Sequence, residues 1–265
     1  MSASVERPAD SAVDASLVRV DRHGPVVHLT LNRASKYNVL SAAMIAALKA
    51  LLEQLAGDRE VRVVVVAAEG RAFSAGHDLT EMGADAGIED MRALFSTCSE
   101  LMMTIRRLPQ PVIARVQGVA TAAGCQLVAM CDLAVASSNA CFAVSGINLG
   151  LFCATPAVAL SRNILQKPAM EMLLTGDFID AQTARERGLV NRVVPPEGLD
   201  AEIEKLALAI AAKSPAAVAA GKRLFYAQQE QSIEAAYASA GEVMACNAVM
   251  EDARGGIARF TKRAD

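Results

Sequence analysis

The chain has 265 residues, of which 53% are hydrophobic and 21% are charged. That composition supplies a sizeable core and excludes wholesale disorder, and the length suits one large domain or two small ones. The net charge is only −3, tryptophan is absent and aromatic residues make up 4%, so we expect neither a nucleic-acid-binding protein nor a membrane protein.

The polar segment of residues 1–16 predicts a disordered tail that resembles neither a signal peptide nor an arginine-rich, acid-poor transit sequence. The six cysteines form no CxxC pair and only three histidines accompany them, so we predict no metal site. Scattered, unpaired cysteines are typical of reduced thiols, and they predict a cytoplasmic location.

Strand-like and helix-like segments alternate through the first part of the chain. Residues 17–32 predict two strands about a turn at Gly24 and Pro25, followed by a helix that Ser41 caps and Gly57 ends. The next predicted elements are a buried strand at 61–68, a loop at 69–79, a helix at 89–107 and strands at 111–118 and 131–137. This alternation predicts right-handed βαβ units and an α/β fold.

From Ala181 onward the pattern changes to alanine-rich helices, and we predict no further strands. The predicted helices are 181–188, 199–213, 215–229 and 232–253. We therefore divide the chain into a core of residues 17–197 and a helical region of residues 198–265.

Two segments of small residues could carry chemistry. The first, FSAGHDL at 73–79, follows a buried strand and would expose backbone N–H groups at the carboxyl end of the sheet, where open α/β folds bind ligands. The second, at 118–132, leads into a short helix at 124–130 whose free N–H groups would favour a developing oxyanion. Taken alone, the first segment is better explained as an ordinary glycine turn and the second as a tight helix–sheet contact.

Together the two segments resemble the signature blocks of the crotonase family, the enoyl-CoA hydratases and isomerases. After FSAGHDL comes AAGCQLVAMCDLAVAS at 122–137, and the similarity extends to LNRASKYNVL at 31–40, EMLLTGDFIDAQTARERGLVNRVVP at 171–195 and GGIARFTKR at 255–263. The resemblance implies a spiral of ββα repeats with a helical trimerisation region at 198–265. It also implies a lyase or isomerase of fatty-acid metabolism that binds acyl-CoA thioesters, assembles as a homotrimer or hexamer, and needs no cofactor beyond the coenzyme A of its substrate.

The same resemblance assigns roles to individual positions. The backbone N–H groups of His77 and Ala123 would form an oxyanion hole for the thioester oxygen. Coenzyme A would lie along Lys36, Tyr37, Ala75, His77, Asp78 and Leu79, with Arg263 or Lys262 reaching a phosphate. Two alternatives stay open: the His77 imidazole could act as an acid or base instead of being an ordinary loop side chain, and the basic tail could simply be solvated.

Both glutamates that hydratases of this family use to deliver water are missing. Their positions fall on Gln126 and Gly146, and neither residue can transfer a proton near neutral pH. Asp132 is the single acid between Glu100 and Glu171, and its place at the start of a strand indicates a structural role.

Two hypotheses follow from these departures. In the first, the protein is an enzyme whose reaction needs mainly the oxyanion hole, such as isomerisation or thioester hydrolysis. In the second, it is an acyl-CoA-binding homologue with little turnover. Cys153 is a conceivable nucleophile, but an inert buried thiol is the better interpretation. AAGCQL followed by GINLGLFCATP resembles the domain-containing-protein-3 branch of enoyl-CoA hydratase homologues, which lacks the same glutamates.

Overall fold

The structure is a computed structural model that describes residues 17–83 and 85–262. The predicted tail at 1–16 and Arg263 lie outside the described residues. The strands, in chain order, are β1 (Val18–His23), β2 (Val26–Leu31), β3 (Val63–Ala68), β4 (Ala72–Ser74), β5 (Val112–Val116), β6 (Val119–Thr121), β7 (Leu133–Ser137), β8 (Cys141–Ala143), β9 (Ile179–Asp180) and β10 (Arg192–Val194). The helices are α1 (Ala42–Ala56), α2 (Ile88–Arg107), α3 (Ala123–Met130), α4 (Ala154–Leu160), α5 (Gln166–Thr175), α6 (Ala181–Glu186), α7 (Leu199–Ala211), α8 (Pro215–Gln228), α9 (Ile233–Ala248) and α10 (Glu251–Thr261).

The strands form two sheets. The larger has the order β1-β2-β3-β5-β7-β10 and is parallel except for the hairpin of β1 and β2. The smaller has the order β4-β6-β8-β9, and β4, β6 and β8 run parallel. Each of these three short strands follows a strand of the large sheet and precedes a helix. The chain therefore repeats a ββα unit, which confirms the predicted α/β architecture.

The sequence of β3 is a continuous apolar run because the strand is buried on both faces of the large sheet. Val64 and Val66 point into the main core, whereas Val63 and Val65 point to the opposite face and contact a second core with Ile203 of α7. Because both faces of a parallel sheet are covered, neither set can be polar.

Helix α1 begins and ends as the sequence predicts. The Ser41 hydroxyl accepts a hydrogen bond from the Met44 amide at 3.2 Å, and Gly57 is the residue after the last turn. A side-chain cap of this kind contributes about 1 kcal/mol to helix stability.

Three sequence predictions are wrong in detail. The segment at 69–79, predicted as a loop, contains the short strand β4. A strand also occurs after Ala181: β10 pairs in parallel with β7, and Arg192 lies opposite Val135. The predicted helix at 232–253 is two helices that break at residues 249–250. Strands of three residues are too short to show alternation, so pairing with a neighbour defines them.

The helical region divides into two parts. Helix α7 packs on the large sheet, with Leu199, Ile203 and Ala207 buried. Helices α8, α9 and α10, by contrast, have no fully buried residue. Within the described ranges, no helix is both long enough and apolar enough to cross a membrane.

Candidate functional site

A cavity of about 440 Å³ lies where the carboxyl ends of β4 and β6 meet. Its walls come from residues 39, 75, 77–80 and 82, Phe95 of α2, residues 122–123, and residues 145, 146, 149 and 151–156. Most lining side chains are apolar, which suits an acyl chain better than a sugar or a charged group. Among the predicted site residues, those that border it are Ala75, His77, Asp78, Leu79, Ala123 and Gly146.

The backbones of the two signature segments lie against each other. Gly76 has φ +89°, and a Cβ built there would lie 2.9 Å from the Ala122 Cβ and 3.2 Å from the Ala123 nitrogen. A Cβ at Gly124 would lie 2.3 Å from the Ser74 carbonyl oxygen. Only glycine allows this approach at either position, so the small residues bring two peptide groups of the cavity wall together.

His77 and Ala123, whose amides are the predicted oxyanion hole, both border the cavity. Within the described residues, neither N–H takes part in a backbone hydrogen bond. Ala123 is the first residue of α3, and the first N–H groups of a helix have no partner inside the helix. Two such donors on one cavity wall can hold an oxygen that acquires negative charge.

Ala122 carries backbone strain directly before the second amide. It has φ 50° and ψ −121°, a combination that residues with a Cβ rarely adopt. Its N–H donates to the Ala143 carbonyl at 3.0 Å, and its own carbonyl accepts from the Gln126 amide at 3.0 Å. These bonds hold the turn between β6 and α3, and strain of this kind is often found at functional sites.

Asn38 is a structural residue of the site that sequence reasoning missed. Its side chain is fully buried, where Oδ1 accepts from the Arg33 amide and Nδ2 donates to the Glu69 and Ala72 carbonyls, each at 2.8 Å. The Asn38 carbonyl also accepts from the Ser74 hydroxyl at 2.8 Å. Asn38 therefore fastens the 33–38 loop to β4, and its left-handed conformation, φ 52°, is one that asparagine tolerates well.

Lys36 and Tyr37 lie on that same loop but outside the cavity wall. The Tyr37 carbonyl accepts from the Ala75 amide at 3.0 Å, so the loop is tied to the first signature segment through its backbone. The Tyr37 ring is exposed and lies under the Arg71 guanidinium at 4.7 Å, and Arg71 also donates to the Tyr37 hydroxyl.

The Asp78 carboxylate is already engaged. It accepts from the Thr80 hydroxyl at 2.7 Å and from the Thr80 amide at 3.1 Å. The Thr80 hydroxyl, with smaller effects from Arg33 and Lys36, holds the pKa of Asp78 below its ordinary value. Asp78 is therefore an ionised side chain that orders the loop.

His77 borders the cavity, and its ring is held by two neighbours. Its Nδ1 lies 3.4 Å from the Leu40 carbonyl oxygen, and its ring meets Phe95 edge to face at 5.5 Å. Nε2 is buried and has no hydrogen-bond partner among the described residues. Burial, only partly offset by the Leu40 carbonyl and Glu81, lowers the pKa of the imidazole, which favours the neutral ring.

The two positions of the missing glutamates have different surroundings in the structure. Gly146 borders the cavity, whereas Gln126 does not; the Gln126 side chain is 4% exposed and its Oε1 has no partner in the described chain. A Cβ at Gly146 would lie 2.7 Å from both the Cys153 Sγ and the Leu151 carbonyl oxygen. The space that a side chain at 146 would need is therefore occupied.

The remaining candidates are structural. Asp132 accepts from the Val112 amide at 2.7 Å, the Lys222 ammonium at 2.6 Å and the Tyr226 hydroxyl at 2.8 Å, and it does not border the cavity. Cys153 is buried, and burial raises the pKa of its thiol. Neither group can serve readily as a proton acceptor in the cavity.

Comparisons with known proteins identify the family and the fold of the chain. The chain matches the family model for enoyl-CoA hydratase/isomerase over residues 21–265. The mitochondrial enoyl-CoA hydratase domain-containing protein 3 of Rattus norvegicus is 42% identical over 257 residues, covering 97% of this chain and 86% of the relative. An enoyl-CoA hydratase structure from Mycobacterium smegmatis has a TM-score of 0.92 at 57% identity, covering 93% of this chain and 96% of that one. The human domain-containing protein 3 structure has a TM-score of 0.91 at 42% identity, covering 93% and 98%.

The chain therefore belongs to the enoyl-CoA hydratase/isomerase family and has the crotonase fold, and its resemblance to the domain-containing-protein-3 branch is confirmed. The predicted cytoplasmic location is contradicted, because the rat relative and its human counterpart are mitochondrial by name. Free thiols distinguish a reducing compartment from an oxidising one, but they do not distinguish between two reducing compartments.

Proposed function

We propose that this family member binds acyl-CoA thioesters in the 440 Å³ cavity and stabilises a thioester enolate through the amides of His77 and Ala123. The observation that carries the proposal is a pair of amides on one apolar cavity wall that have no backbone hydrogen-bond partner among the described residues. The strained Ala122 and the glycine contacts support it, because they hold the two peptide groups together before any ligand arrives.

The chemistry follows from where charge develops. When a proton leaves the carbon next to the thioester, the carbonyl oxygen becomes negative, and two fixed N–H donors stabilise that oxygen more than they stabilise the ground state. Removing one such donor typically costs about 3 kcal/mol in the transition state.

The coenzyme A part would pass along the first signature segment and the 33–38 loop. Ala75, Asp78 and Leu79 line the cavity, and Lys36 and Tyr37 lie on the adjoining loop. Leu79 is 58% exposed and Tyr37 is 43% exposed, as expected of surfaces that a ligand would cover. Arg263, which lies outside the described residues, would reach a phosphate of coenzyme A.

Hydration is expected to be very slow. Positioned acid–base groups contribute about 10²–10⁴-fold to a rate, and neither Gln126 nor Gly146 supplies one. The closed space beside Gly146 favours a second candidate function, an acyl-CoA-binding protein without turnover, because the water site of a hydratase would need room there.

We further propose that three or six copies assemble through the helical region. Helices α8, α9 and α10 leave large apolar side chains exposed, among them Phe225, Tyr237, Met244 and Phe260. A subunit that exposes such a surface is expected to bury it against another.

Binding and turnover can be tested together. Isothermal titration with crotonyl-CoA and butanoyl-CoA should give binding, and crotonyl-CoA should be hydrated far below an ordinary turnover of about 10 s⁻¹. Binding without any reaction would favour the second candidate, and failure to bind any acyl-CoA would refute both.

A proline variant tests the oxyanion hole directly. Ala123→Pro removes one donor at the first position of α3, where proline is normally tolerated. We expect weaker acyl-CoA binding and an enolate-dependent rate lower by about 10²–10³-fold. Glu251→Pro, at the first position of α10, is the matched control, and circular dichroism of both variants verifies folding. Equal behaviour of the two variants would contradict the assignment.

A further inference from the structure

The proposed enolate forms only if some group takes a proton from the substrate, and few residues that line the cavity can do so. Among the described lining residues, those that titrate are His77, Asp78 and Cys153. Asp78 accepts two hydrogen bonds from Thr80 and is paired with Arg33 at 3.8 Å. The Cys153 thiol is buried, and burial keeps it protonated. This leaves His77.

The surroundings of His77 set its hydrogen-bonding roles. The Leu40 carbonyl can only accept, so Nδ1 at 3.4 Å carries the hydrogen and Nε2 is the acceptor. That acceptor is buried without a partner among the described residues, and an unsatisfied buried acceptor costs about 1–3 kcal/mol. A proton transferred to Nε2 would use this unpaired acceptor.

We infer that His77 Nε2 is the base that moves a proton on the carbon next to the thioester of a bound acyl-CoA. The inference rests on the proposed acyl-CoA binding and adds a catalytic residue to it. Nε2 takes the proton, the C–H electron pair forms the C=C bond of the enolate, and the carbonyl oxygen takes the charge under the two amides. The imidazolium then returns a proton to the same carbon or, in an unsaturated chain, to the carbon two bonds further on.

The same residue would therefore serve twice, through its amide and through its ring. The substrate class is an acyl-CoA with an apolar chain and a removable proton beside the carbonyl, and the reaction class is proton exchange or double-bond migration. Neither reaction requires the two glutamates of a hydratase, since no water is added.

The groups around the His77 imidazole determine how the rate of proton exchange should depend on pH. Glu81 is the charged group that acts on it, and its carboxylate also accepts from the Ala42 amide at 2.9 Å. Phe95 of α2 and the Leu40 carbonyl are the other groups in contact. Because burial outweighs Glu81 and lowers the pKa of His77, the neutral base should be present at neutral pH. The rate should rise with pH and level off with a midpoint below the ordinary imidazole value of about 6.5.

The experiment incubates the protein with 3-hexenoyl-CoA in D₂O and follows deuterium uptake and 2-hexenoyl-CoA formation by mass spectrometry. Binding is measured in parallel by isothermal titration. His77→Gln keeps the backbone amide and should bind the thioester while exchanging at least about 100-fold more slowly. His23→Gln removes an imidazole outside the cavity and should exchange like the unmodified protein.

Each outcome decides the inference. The inference is supported if His77→Gln binds 3-hexenoyl-CoA but loses exchange, and if the rate of the unmodified protein has its pH midpoint below about 6.5. Exchange by His77→Gln at the unmodified rate overturns it, and so does binding without exchange by the unmodified protein, which leaves the proposed acyl-CoA binding intact. If the unmodified protein binds no thioester, the proposed function fails and this inference fails with it. The pH profile of the unmodified protein decides the case even if His77→Gln does not fold.

Discussion

Ala122 has a backbone conformation that shapes the candidate site but costs the chain stability. An alanine at φ 50° and ψ −121° pays a conformational cost that glycine would not pay. The methyl group nevertheless lies against the backbone of Gly76, so it helps to pack the two signature segments. The free energy of unfolding of a glycine variant measures whether the backbone strain or the methyl packing is larger.

We predict that Ala122→Gly raises the free energy of unfolding by about 1 kcal/mol, because relief of strain outweighs the lost methyl contact. Ala46→Gly, on the exposed face of α1, is the matched control and should lower it by about 1 kcal/mol. Urea denaturation measures both. Destabilisation of equal size in the two variants would show that Ala122 is not strained.

Gly146 is constrained by its neighbours and not by its own backbone. Its φ lies outside the left-handed region, but a Cβ would lie 2.7 Å from the Leu151 carbonyl oxygen. A glutamate therefore cannot simply be installed at 146 to restore a hydratase. Residues 151–153 would first have to move.

We predict that Gly146→Ala lowers the free energy of unfolding by about 1–3 kcal/mol, the usual cost of overpacking. Gly57→Ala is the matched control, since a Cβ there meets nothing within 4 Å, and it should have little effect. Gly146→Glu should be destabilised further and should gain no hydration of crotonyl-CoA. A stable Gly146→Glu variant with hydratase turnover would contradict this prediction.

Sequence reasoning located some site residues and missed others for a physical reason. His77, Ala123 and Gly146 lie in or beside recognisable segments, and all three border the cavity. Asn38 lies in the family-like segment 31–40, but the sequence does not show its role, because that role depends on carbonyls more than 30 residues away in the chain. The blocked space at Gly146 likewise depends on Cys153, which only the folded loop brings to it.

At the scale of elements, polar contacts fasten α8 to the core. The Lys222 ammonium donates to the Ile105 and Gln110 carbonyls at 3.0 Å and to Asp132 at 2.6 Å, although α8 has no fully buried residue. Tyr226 adds a hydrogen bond to the same carboxylate at 2.8 Å. The Asp132 side chain is 13% exposed, and a carboxylate so largely buried would be costly to keep ionised without these partners.

We predict that Lys222→Met lowers the free energy of unfolding by about 3–5 kcal/mol, because it leaves Asp132 without its cation. Tyr226→Phe should cost about 1–2 kcal/mol. The control is Lys205→Met, whose exposed ion pair with Glu202 at 3.9 Å should contribute less than about 1 kcal/mol. Urea denaturation ranks the three, and equal effects of Lys222→Met and Lys205→Met would refute the prediction.

Long elements could be predicted from the sequence, and short ones could not. β3 and α2 are long enough for an apolar run or a helical period to be visible. β10 has three residues and begins with an arginine, so only its pairing with β7 makes it a strand. The break between α9 and α10 had one signal in the sequence, since Glu251 and Asp252 suit the first turn of a new helix.

For the whole molecule, the histidines predict a loss of stability in acid. Burial, with a smaller contribution from His23, lowers the pKa of His28 despite nearby Asp21 and Asp200, and burial also lowers the pKa of His77. In the window below about pH 6.5 the unfolded chain binds more protons than the folded chain, so the free energy of unfolding rises with pH there. It should therefore fall on acidification from neutral pH.

Urea denaturation at a series of pH values measures this slope. His28→Gln should flatten it in part, and adding His77→Gln should flatten it further, because each change removes one group that protonates more readily after unfolding. A stability that stays constant or increases as the pH drops through this window would show that neither imidazole is held neutral by the fold.

The helical region exposes an apolar face through which we expect the chain to assemble. Tyr237 and Met244 of α9 are 75% and 70% exposed, and Phe260 of α10 is 78% exposed. Sedimentation equilibrium at micromolar concentration should give three or six times the 27.8 kDa mass of the chain. Replacing Tyr237 and Met244 together by glutamate should shift the mass toward one chain, because burying the new charges costs more than the contact contributes. Ile88→Glu changes a similarly exposed side chain on α2 and should leave the assembly intact. A single-chain mass for the unmodified protein would refute assembly through this face, and it would leave the apolar side chains of α8, α9 and α10 exposed to water.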